Sequence, residues 1–287
     1  MKPLRSLLFV PGDRPERFAK AAASGADAII LDLEDSVAPE RKAQARADVL
    51  AWLQGERSVP TIVRVNPVDS AAINEDFPCL RAGRPDAVML PKAEGAGSIR
   101  LLDERLAGAS APIIPIATET PQALFELGSY RQCANRLAGL SWGAEDLPAA
   151  IGAGTAREPD GRYTPPYELA RSLTLFAAHA AGVPAIDTVF PDLADMDGLA
   201  AYVARARRDG FTGMLALHPA QVPVINAGFT PSAAEITRAQ AIVDAFAAHP
   251  GVGVLMLEGR MVDRPHLVQA QRILALAGAS GGWSLPA

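Results

Sequence analysis

Residues 27–35 read DAIILDLED, a nearly unbroken apolar run that ends directly in acidic residues. A run of this kind, without polar alternation, is typical of a strand in a parallel sheet that is covered on both faces. Acidic side chains that follow such a strand lie at its carboxyl end, where α/β barrels place their chemistry. The stretch predicts a parallel α/β fold, and it marks Glu34 and Asp35 as candidate site residues.

Seven further apolar runs resemble this one, and amphipathic segments long enough for crossover helices separate several of them. Eight strand–helix units predict a (β/α)8 TIM barrel. The alternative is an open doubly wound sheet, but FVPGDRPERF after the first run is not a nucleotide-binding fingerprint. The predicted strands cover 6–10, 27–33, 60–65, 86–91, 112–117, 137–142, 184–190 and 213–218.

The last part of the chain lies beyond the eight predicted strand–helix units. We expect a helix over 231–248, then a short hairpin, and a final helix from about Pro265. The predicted organisation is a (β/α)8 catalytic domain over 1–250 and a C-terminal helical extension over 251–287. This extension would cap the active site of its own or of a neighbouring subunit.

Composition excludes several classes of protein. The 287 residues carry a formal net charge of -5, which gives no reason to expect nucleic-acid binding. No stretch approaches the roughly 20 apolar residues of a membrane span, so we expect a cytoplasmic protein without a membrane partner. Cys79 and Cys133 are too few for a disulfide framework, and the four histidines lack the spacing of a zinc site.

Polar residues concentrate at the predicted carboxyl ends of the strands, which meet at one mouth of a barrel. Any single member of this set is equally well explained as a solvated rim residue. The whole set favours an enzyme, because several members directly follow apolar runs. The set comprises Asp13, Arg14, Glu34, Asp35, Arg64, Asn66, Lys92, Thr118, Glu119, Glu145, Asp146, Asp187 and His218.

Glu119 and Asp146 lie 27 residues apart, at the ends of consecutive predicted strands. Two such carboxylates suit Mg²⁺, which commonly takes one or two carboxylates and fills its other positions with water and substrate. The alternative is a pair of rim acids neutralised by Arg64 or Lys92. The planar guanidinium of Arg64 suits a bound carboxylate, and its alternative role is to pair with Glu34 or Asp35.

The motifs of this chain, taken in order, resemble those of the citrate lyase beta-subunit-like (CitE-like) family of CoA-ester lyases. This family lies within the HpcH/HpaI aldolase and phosphoenolpyruvate/pyruvate barrel group, and the resemblance spans essentially the whole chain. The motifs are RSLLFVPGDRPERFAKA, GADAIILDLEDSV, VRVN, VMLPKAE, IATETPQAL, WGAEDL, ALHPAQVPVIN and GRMVDRPHL.

The resemblance implies a role for each matching residue. Glu119 and Asp146 match the metal ligands, and Arg64 matches the arginine that contacts the substrate. Asp263 matches a catalytic acid that is often presented to a neighbouring subunit's site. The remaining matches are Glu34 and Asp35 as the acidic pair that supports water at the metal or positions Arg64, and Arg14, Lys20 and Lys92 as the cofactor-binding set.

The resemblance also implies an activity. We expect a Mg²⁺-dependent carbon–carbon lyase that cleaves a β-hydroxyacyl-CoA into acetyl-CoA, or a homologous acyl-CoA, and a keto acid. Candidate substrates are malyl-CoA, citramalyl-CoA, β-methylmalyl-CoA and citryl thioesters. Apart from these small molecules, the implied partner is a second copy of the chain, in a homotrimer or hexamer.

Three alternatives remain open at this point. One is a malyl-CoA-type thioesterase, and another is an HpcH/HpaI-type pyruvate aldolase that acts on free aldehydes. The third is a non-catalytic subunit, against which the presence of Glu119, Asp146 and Arg64 argues. The chain departs from the family at Met214, where relatives often carry lysine, and the departure leaves the acyl group undefined.

Overall fold

The computed structural model describes residues 4–106 and 111–278, and its central feature is a barrel of parallel strands. Seven strands fall within predicted apolar runs and β1 extends one residue beyond its run, to Pro11, so the predicted (β/α)8 fold is confirmed. The strands are β1 (Ser6–Pro11), β2 (Ala28–Asp32), β3 (Thr61–Arg64), β4 (Ala87–Leu90), β5 (Ile113–Pro115), β6 (Leu140–Ser141), β7 (Ala185–Asp187) and β8 (Gly213–Ala216).

The strands are hydrogen-bonded in the order β5-β4-β3-β2-β1-β8-β7-β6. Between β5 and β6 the barrel closes through two parallel bridges, Ile113 with Leu137 and Ile116 with Ser141. Because neighbouring strands run in parallel, all their carboxyl ends open at one mouth.

The helices cover the outside of the barrel and extend beyond it. The barrel helices are α1 (Phe18–Ala22), α2 (Lys42–Gln54), α3 (Ile73–Gly83), α4 (Gly95–Leu106), α5 (Pro121–Glu126), α6 (Asp146–Ile151), α7 (Pro165–Ala181), α8 (Met196–Asp209) and α9 (Gln221–Phe229). Short 3-10 segments occupy Pro15–Arg17, Pro39–Arg41 and Leu127–Arg136. The C-terminal part consists of α10 (Ala233–Ala248), a hairpin of β9 (Val254–Leu257) and β10 (Arg260–Asp263), and α11 (Arg264–Gly278).

The apolar core of the barrel has two layers, which explains why the strand sequences do not alternate. Leu7, Ile30 and Leu215 belong to an inner cluster enclosed by the strands. Leu8 and Ile29, their neighbours in sequence, belong to the larger cluster between the strands and the helices. Since successive side chains of a strand point to opposite faces, both faces of each strand must be apolar.

The C-terminal segment has a small core of its own. Ile242 and Phe246 of α10 pack with Val262 of β10 and Ala270 of α11. The predicted hairpin and final helix are therefore present, and α10 packs with them. The predicted ranges 1–250 and 251–287 include residues 1–3, 107–110 and 279–287, which lie outside the described residues. Within 4–106 and 111–278, no helix is both long enough and apolar enough to cross a lipid bilayer.

Candidate active site at the carboxyl ends of the strands

A cavity of about 410 Å³ lies at the carboxyl mouth of the barrel. Its floor is apolar and includes Phe9, Ile116 and Leu215. Carboxyl groups and one guanidinium group line its walls, so the cavity combines an apolar base with a few convergent polar groups, as ligand sites usually do. The charged lining residues are Asp32, Asp35, Arg64, Glu119, Glu145 and Asp146.

Arg64, at the end of β3, is held in place from several directions. Its Nε and Nη2 donate to Asp32 Oδ1 and Oδ2 over 2.7 and 2.6 Å, a bidentate ion pair. Its Nη1 lies 3.0 Å from Glu34 Oε2, and its guanidinium lies over the ring of Phe9, 4.8 Å from the centroid. Burial alone would lower the pKa of Arg64, but the acidic partners raise it, so the guanidinium stays charged.

Asp32 is a site residue outside the predicted set, because it lies within the apolar run 27–33 and not after it. It is the last residue of β2, it is almost fully buried, and it lies beside Arg64 in the strand register. Its carboxylate also accepts hydrogen bonds from the backbone N–H groups of Glu34 and Ser36. Burial works against the charged form, yet Arg64 and these donors hold the pKa of Asp32 below its usual value. The signal in the sequence was an acid at the carboxyl end of an apolar strand.

Glu34 and Asp35 lie in the turn after β2, in different environments. Glu34 is buried and Asp35 is exposed, which separates the predicted acidic pair. Burial raises the pKa of Glu34, although Arg64 and Lys92 oppose the shift. Within the described part of the chain, Glu34 Oε2 is ion-paired with Arg64 Nη1 but accepts no hydrogen bond of normal geometry. The ammonium of Lys42 fixes the turn by donating to the carbonyls of Leu33 and Glu34.

Lys92, in the turn after β4, contacts the acids of the mouth with two different groups. Its backbone N–H donates to Glu119 Oε2 over 2.5 Å. Its Nζ lies 2.5 Å from Glu34 Oε1, 3.4 Å from Asp35 Oδ2 and 3.3 Å from Asp146 Oδ1. Burial opposes the charge of Lys92, but these carboxyl groups raise its pKa. The ammonium is thus directed to carboxylates inside the mouth.

Glu119 and Asp146, the predicted metal ligands, both line the cavity. Burial, reinforced by the negative charges of Asp146 and Glu34, raises the pKa of Glu119 to about 8. Asp146 is the first residue of α6 and is about one-third exposed. The carboxyl group of Glu119 approaches the backbone closely at Gly143, where an added Cβ would lie 2.8 Å from Glu119 Cγ. Gly143, just after β6, therefore allows the backbone to pass close beside the Glu119 side chain.

The donor set fits a hard divalent cation. Five carboxyl groups (Asp32, Glu34, Asp35, Glu119 and Asp146) face two cations (Arg64 and Lys92), which leaves three acids in excess. A buried carboxyl with a raised pKa is neutralised by a proton or by a metal ion. Within the described ranges, no group of three or more His, Cys, Asp or Glu side chains is arranged around one metal position. Two oxygen ligands from the protein match Mg²⁺, which keeps several waters, and do not match a structural zinc site.

Several other residues predicted at the mouth have structural roles. Asp187 is fully buried and accepts from Trp142 Nε1, Tyr202 Oη and the guanidinium of Arg171. Asn66 binds Asp76 and the carbonyl of Leu33. Asp187 lies on the helix side of the barrel wall, because its neighbour Ile186 belongs to the inner cluster and successive strand residues face opposite sides. Asn66 lies beyond the end of β3 and binds Asp76 on α3.

The remaining predicted site residues lie at the surface. Arg14 and Lys20 are exposed in the segment that follows β1. Asp263 is the last residue of β10 in the C-terminal hairpin, and its Oδ1 lies 2.5 Å from Nδ1 of His266. Its side chain contacts His266 near the start of α11, and it does not line the mouth cavity.

Met214, where relatives often carry lysine, is fully buried in β8. It packs in the outer core cluster, so this position lies in the core and not at the surface.

A family model described as HpcH/HpaI aldolase/citrate lyase matches residues 5–219, which includes every strand of the barrel. The chain belongs to the HpcH/HpaI aldolase/citrate lyase family. The predicted resemblance to the citrate lyase beta subunit is confirmed by a citrate lyase subunit beta-like protein of Mycobacterium tuberculosis. That protein is 38% identical over 278 residues, which cover 94% of this chain and 94% of the relative.

Other relatives in this family carry names that specify different reactions. A (3S)-malyl-CoA thioesterase of Cereibacter sphaeroides is 35% identical over 96% of this chain and 95% of its own length. An L-malyl-CoA/beta-methylmalyl-CoA lyase of the same species is 33% identical, with the same coverage of both chains. The lyase name, together with the family match, supports the classification of the chain as an enzyme of a lyase family.

A solved structure agrees over nearly the whole chain. The crystal structure of CitE from Mycobacterium tuberculosis, in complex with magnesium, acetoacetate and coenzyme A, is similar to this chain with a TM-score of 0.83 and 36% sequence identity. The likeness covers 96% of this chain and 98% of that chain. It therefore includes the barrel and the C-terminal helical extension.

Proposed function

We propose that this enzyme is a Mg²⁺-dependent carbon–carbon lyase that acts on a β-hydroxyacyl-CoA. The observation that carries the proposal is the convergence of Glu119, Asp146 and a fixed Arg64 on one cavity with an apolar floor. The solved relative that binds magnesium, acetoacetate and coenzyme A supports the same ligand classes here. Candidate substrates are malyl-CoA, citramalyl-CoA, β-methylmalyl-CoA and citryl thioesters.

Glu119 and Asp146 are the residues that would hold Mg²⁺. When bound, Mg²⁺ acts as a Lewis acid toward the hydroxyl and the neighbouring carboxylate of the acyl group. Arg64 is positioned to stabilise negative charge on the substrate oxygens. Because Asp32, Glu34 and Phe9 already hold its guanidinium, little reorganisation is needed during the reaction. Arg64 therefore binds and orients the carboxylate end of the substrate.

The proposed cleavage of the carbon–carbon bond is a reverse Claisen-type reaction. The substrate hydroxyl loses its proton and becomes the carbonyl of the keto acid, while the carbon–carbon bond breaks. The electron pair of that bond passes to the thioester fragment as an enolate, and a proton added to its terminal carbon gives acetyl-CoA. Asp263 is the proposed acid/base at that carbon.

The C-terminal hairpin supports a capping role for the extension. In the β9–β10 register, Asp263 lies opposite Val254, and Met256 lies opposite Met261, so these four side chains share one face. The three apolar members are exposed, at 52%, 69% and 61% for Val254, Met256 and Met261. We propose that this face packs over the mouth of a neighbouring subunit in a homotrimer or hexamer and carries Asp263 into its site.

The CoA moiety would bind through basic side chains outside the cavity. Arg14 and Lys20 are exposed in the segment that follows β1, where they are accessible to phosphate groups. Lys92 completes the predicted cofactor-binding set, although its ammonium is directed toward carboxyl groups. Binding of CoA, measured by calorimetry, separates this proposal from an aldolase that uses free aldehydes, for which no CoA binding is expected.

A thioesterase is the second candidate function, because a (3S)-malyl-CoA thioesterase is among the relatives. The decisive experiment incubates the enzyme and Mg²⁺ with a panel of hydroxyacyl-CoA thioesters and follows keto acid and free thiol separately. Keto acid without thiol is the expected result. Free thiol without keto acid would replace the lyase by a thioesterase, and turnover of free aldehydes alone would replace it by an aldolase.

A further inference from the structure

Lys92 combines an unusual backbone conformation with contacts to acids from three segments, which follow β2, β5 and β6. Its φ is 51°, in the left-handed region that residues other than glycine rarely adopt. Such conformations persist where the surrounding structure holds them, and they cluster at functional sites. The consequence here is that the backbone and the side chain of Lys92 contact different carboxyl groups.

The backbone of Lys92 fixes the orientation of Glu119. In the left-handed turn, the N–H of Lys92 donates to Glu119 Oε2 over 2.5 Å. The opposite side of the Glu119 side chain is closely approached at Gly143. The carboxyl group is therefore held by one oxygen, and the other oxygen remains for a ligand. A side chain that cannot tolerate a positive φ at position 92 would release this contact.

The ammonium of Lys92 has unequal contacts with the other acids. The contact with Glu34 is short, 2.5 Å, whereas the distance to Asp146 Oδ1 is 3.3 Å. A cation bound by Asp146 and the ammonium of Lys92 would repel each other and compete for the same carboxylate. The longer of the two contacts is the one that a metal ion is expected to exchange.

We propose that Lys92 is a positioning residue that holds Glu119 through its backbone N–H and competes with the metal for Asp146 through its ammonium, while it retains Glu34. The proposal rests on the metal role of Glu119 and Asp146 proposed above. The proposed role goes beyond cofactor contact: without metal, the ammonium offsets part of the negative charge of the mouth, and it moves off Asp146 when the metal binds.

The sign of the effect on Mg²⁺ affinity distinguishes this role from a structural one. Removal of a competing charge should tighten Mg²⁺ binding about tenfold in the Lys92→Met variant, since a single nearby charge is worth on the order of a factor of ten. A residue that merely supports the fold would weaken Mg²⁺ binding when replaced. Methionine keeps the length of the side chain and its backbone preferences.

The experiment is calorimetric titration of Mg²⁺ into the full chain at pH 8.5, with folding checked by circular dichroism. Lys92→Gly is the second variant, because glycine accepts the positive φ and keeps the N–H group. It should match Lys92→Met, whereas Lys92→Val, β-branched and unfavourable at this φ, should bind Mg²⁺ at least tenfold more weakly than Lys92→Met. The exposed Arg238 on α10 provides a charge-matched control, and Arg238→Met should leave the affinity unchanged.

Weaker Mg²⁺ binding by both folded variants, Lys92→Met and Lys92→Gly, would overturn the role of Lys92. That outcome leaves the proposed lyase intact as long as the wild-type chain binds Mg²⁺. Absence of Mg²⁺ binding by the wild-type chain would instead overturn the metal site itself. The kcat of Lys92→Met should also fall at saturating Mg²⁺, because Glu34 loses its short contact.

Discussion

Arg64 and Asp32 form a bidentate ion pair across neighbouring strands, with both carboxylate oxygens accepting from the guanidinium over 2.7 and 2.6 Å. Asp32 is 1% exposed, and the Arg64 side chain is 14% exposed. The pair therefore fixes the direction of the guanidinium at the base of the mouth. Its partners also include Glu34 and the ring of Phe9, so Arg64 is oriented before any substrate binds.

Replacement of Asp32 by asparagine should destabilise the fold and impair the site together. The variant leaves Arg64 buried and only partly compensated, and loss of one partner of a buried pair costs about 3 kcal/mol. Urea denaturation of Asp32→Asn measures the free energy of unfolding. The control is Asp35→Asn, since Asp35 is exposed and should change stability by less than about 0.5 kcal/mol. Equal stability of the two variants would show that the pair does not stabilise the fold.

Replacement of Glu119 by glutamine, or of Asp146 by asparagine, should abolish Mg²⁺ binding and Mg²⁺-dependent turnover without unfolding the chain. Each substitution removes a charged oxygen ligand but keeps the shape of the side chain. Calorimetry with Mg²⁺ and circular dichroism test the two halves of this expectation. Glu145→Gln is the matched control, because Glu145 is exposed next to Asp146 and is not a proposed ligand. Full activity of either ligand variant would contradict the metal assignment.

The affinity for Mg²⁺ should rise with pH because the metal must displace the proton of Glu119. Burial raises the pKa of this carboxyl to about 8, so below that pH a proton occupies the ligand. The affinity should fall about tenfold for each pH unit below 8. Calorimetry in two buffers with different ionisation enthalpies will detect the released proton. A constant affinity between pH 6 and pH 8 would be inconsistent with a protonated Glu119.

The same shift predicts how stability responds to pH and to metal removal. The folded state retains the Glu119 proton between the ordinary value of 4.5 and about 8. The unfolded state loses that proton first, so this group makes the free energy of unfolding fall as pH rises through the window. Mg²⁺ should offset the loss, and chelation by EDTA should lower Tm more at pH 8.5 than at pH 6. The Glu119→Gln variant should show no such difference.

Replacement of Gly143 by alanine should weaken the metal site through contact with Glu119. The added Cβ would lie 2.8 Å from Glu119 Cγ and 3.1 Å from Oε1, so the carboxyl group must move. Overpacking of this kind costs about 1–3 kcal/mol. Gly154→Ala is the control on the same stretch, since a Cβ there meets nothing within 4 Å. Wild-type Mg²⁺ affinity in Gly143→Ala would show that Glu119 does not need this close approach.

Mixing two inactive variants should restore activity if the extension serves a neighbouring subunit. Asp263→Asn lacks the proposed acid/base, and Glu119→Gln lacks a metal ligand, so a mixed oligomer contains some sites with both groups intact. Exchange of subunits should return up to about a quarter of the wild-type turnover. Turnover assays after co-expression measure this recovery. Complete inactivity of the mixed oligomers would place Asp263 at the site of its own chain or outside the site.

Much of the fold was predictable because it depends on a one-dimensional pattern. Each of the eight apolar runs holds an observed strand, with β1 extending one residue beyond its run, and the polar residues that follow them mark the mouth. The predicted positions of Glu119, Asp146 and Arg64 at that mouth agree with the structure, since the carboxyl ends of parallel strands must meet. Strand direction alone was sufficient for this part of the site.

The partners of these residues were not predictable in the same way. Asp32 and Asp187 both end apolar strands, yet Asp32 points into the mouth and Asp187 is sequestered by Trp142 and Arg171. A shift of one position moves a strand residue from one face of the barrel wall to the other. A small error in the predicted strand bounds therefore reverses whether a residue is expected to face the mouth or the helices. The two contacts of Lys92 likewise depend on a backbone conformation that a lysine rarely adopts.

The sequence by itself determined the barrel, the carboxyl-end location of the chemistry and the family, because the burial pattern and the order of motifs are properties of the chain. Only the tertiary structure decided that Arg64 pairs with Asp32, that Lys92 contacts both proposed metal ligands, and that Asp263 shares a face with Met256 and Met261. The physical reason is that ion pairs and shared faces depend on distances between side chains from remote segments. Those distances are set by strand register and by close packing, and the linear order of residues does not contain them.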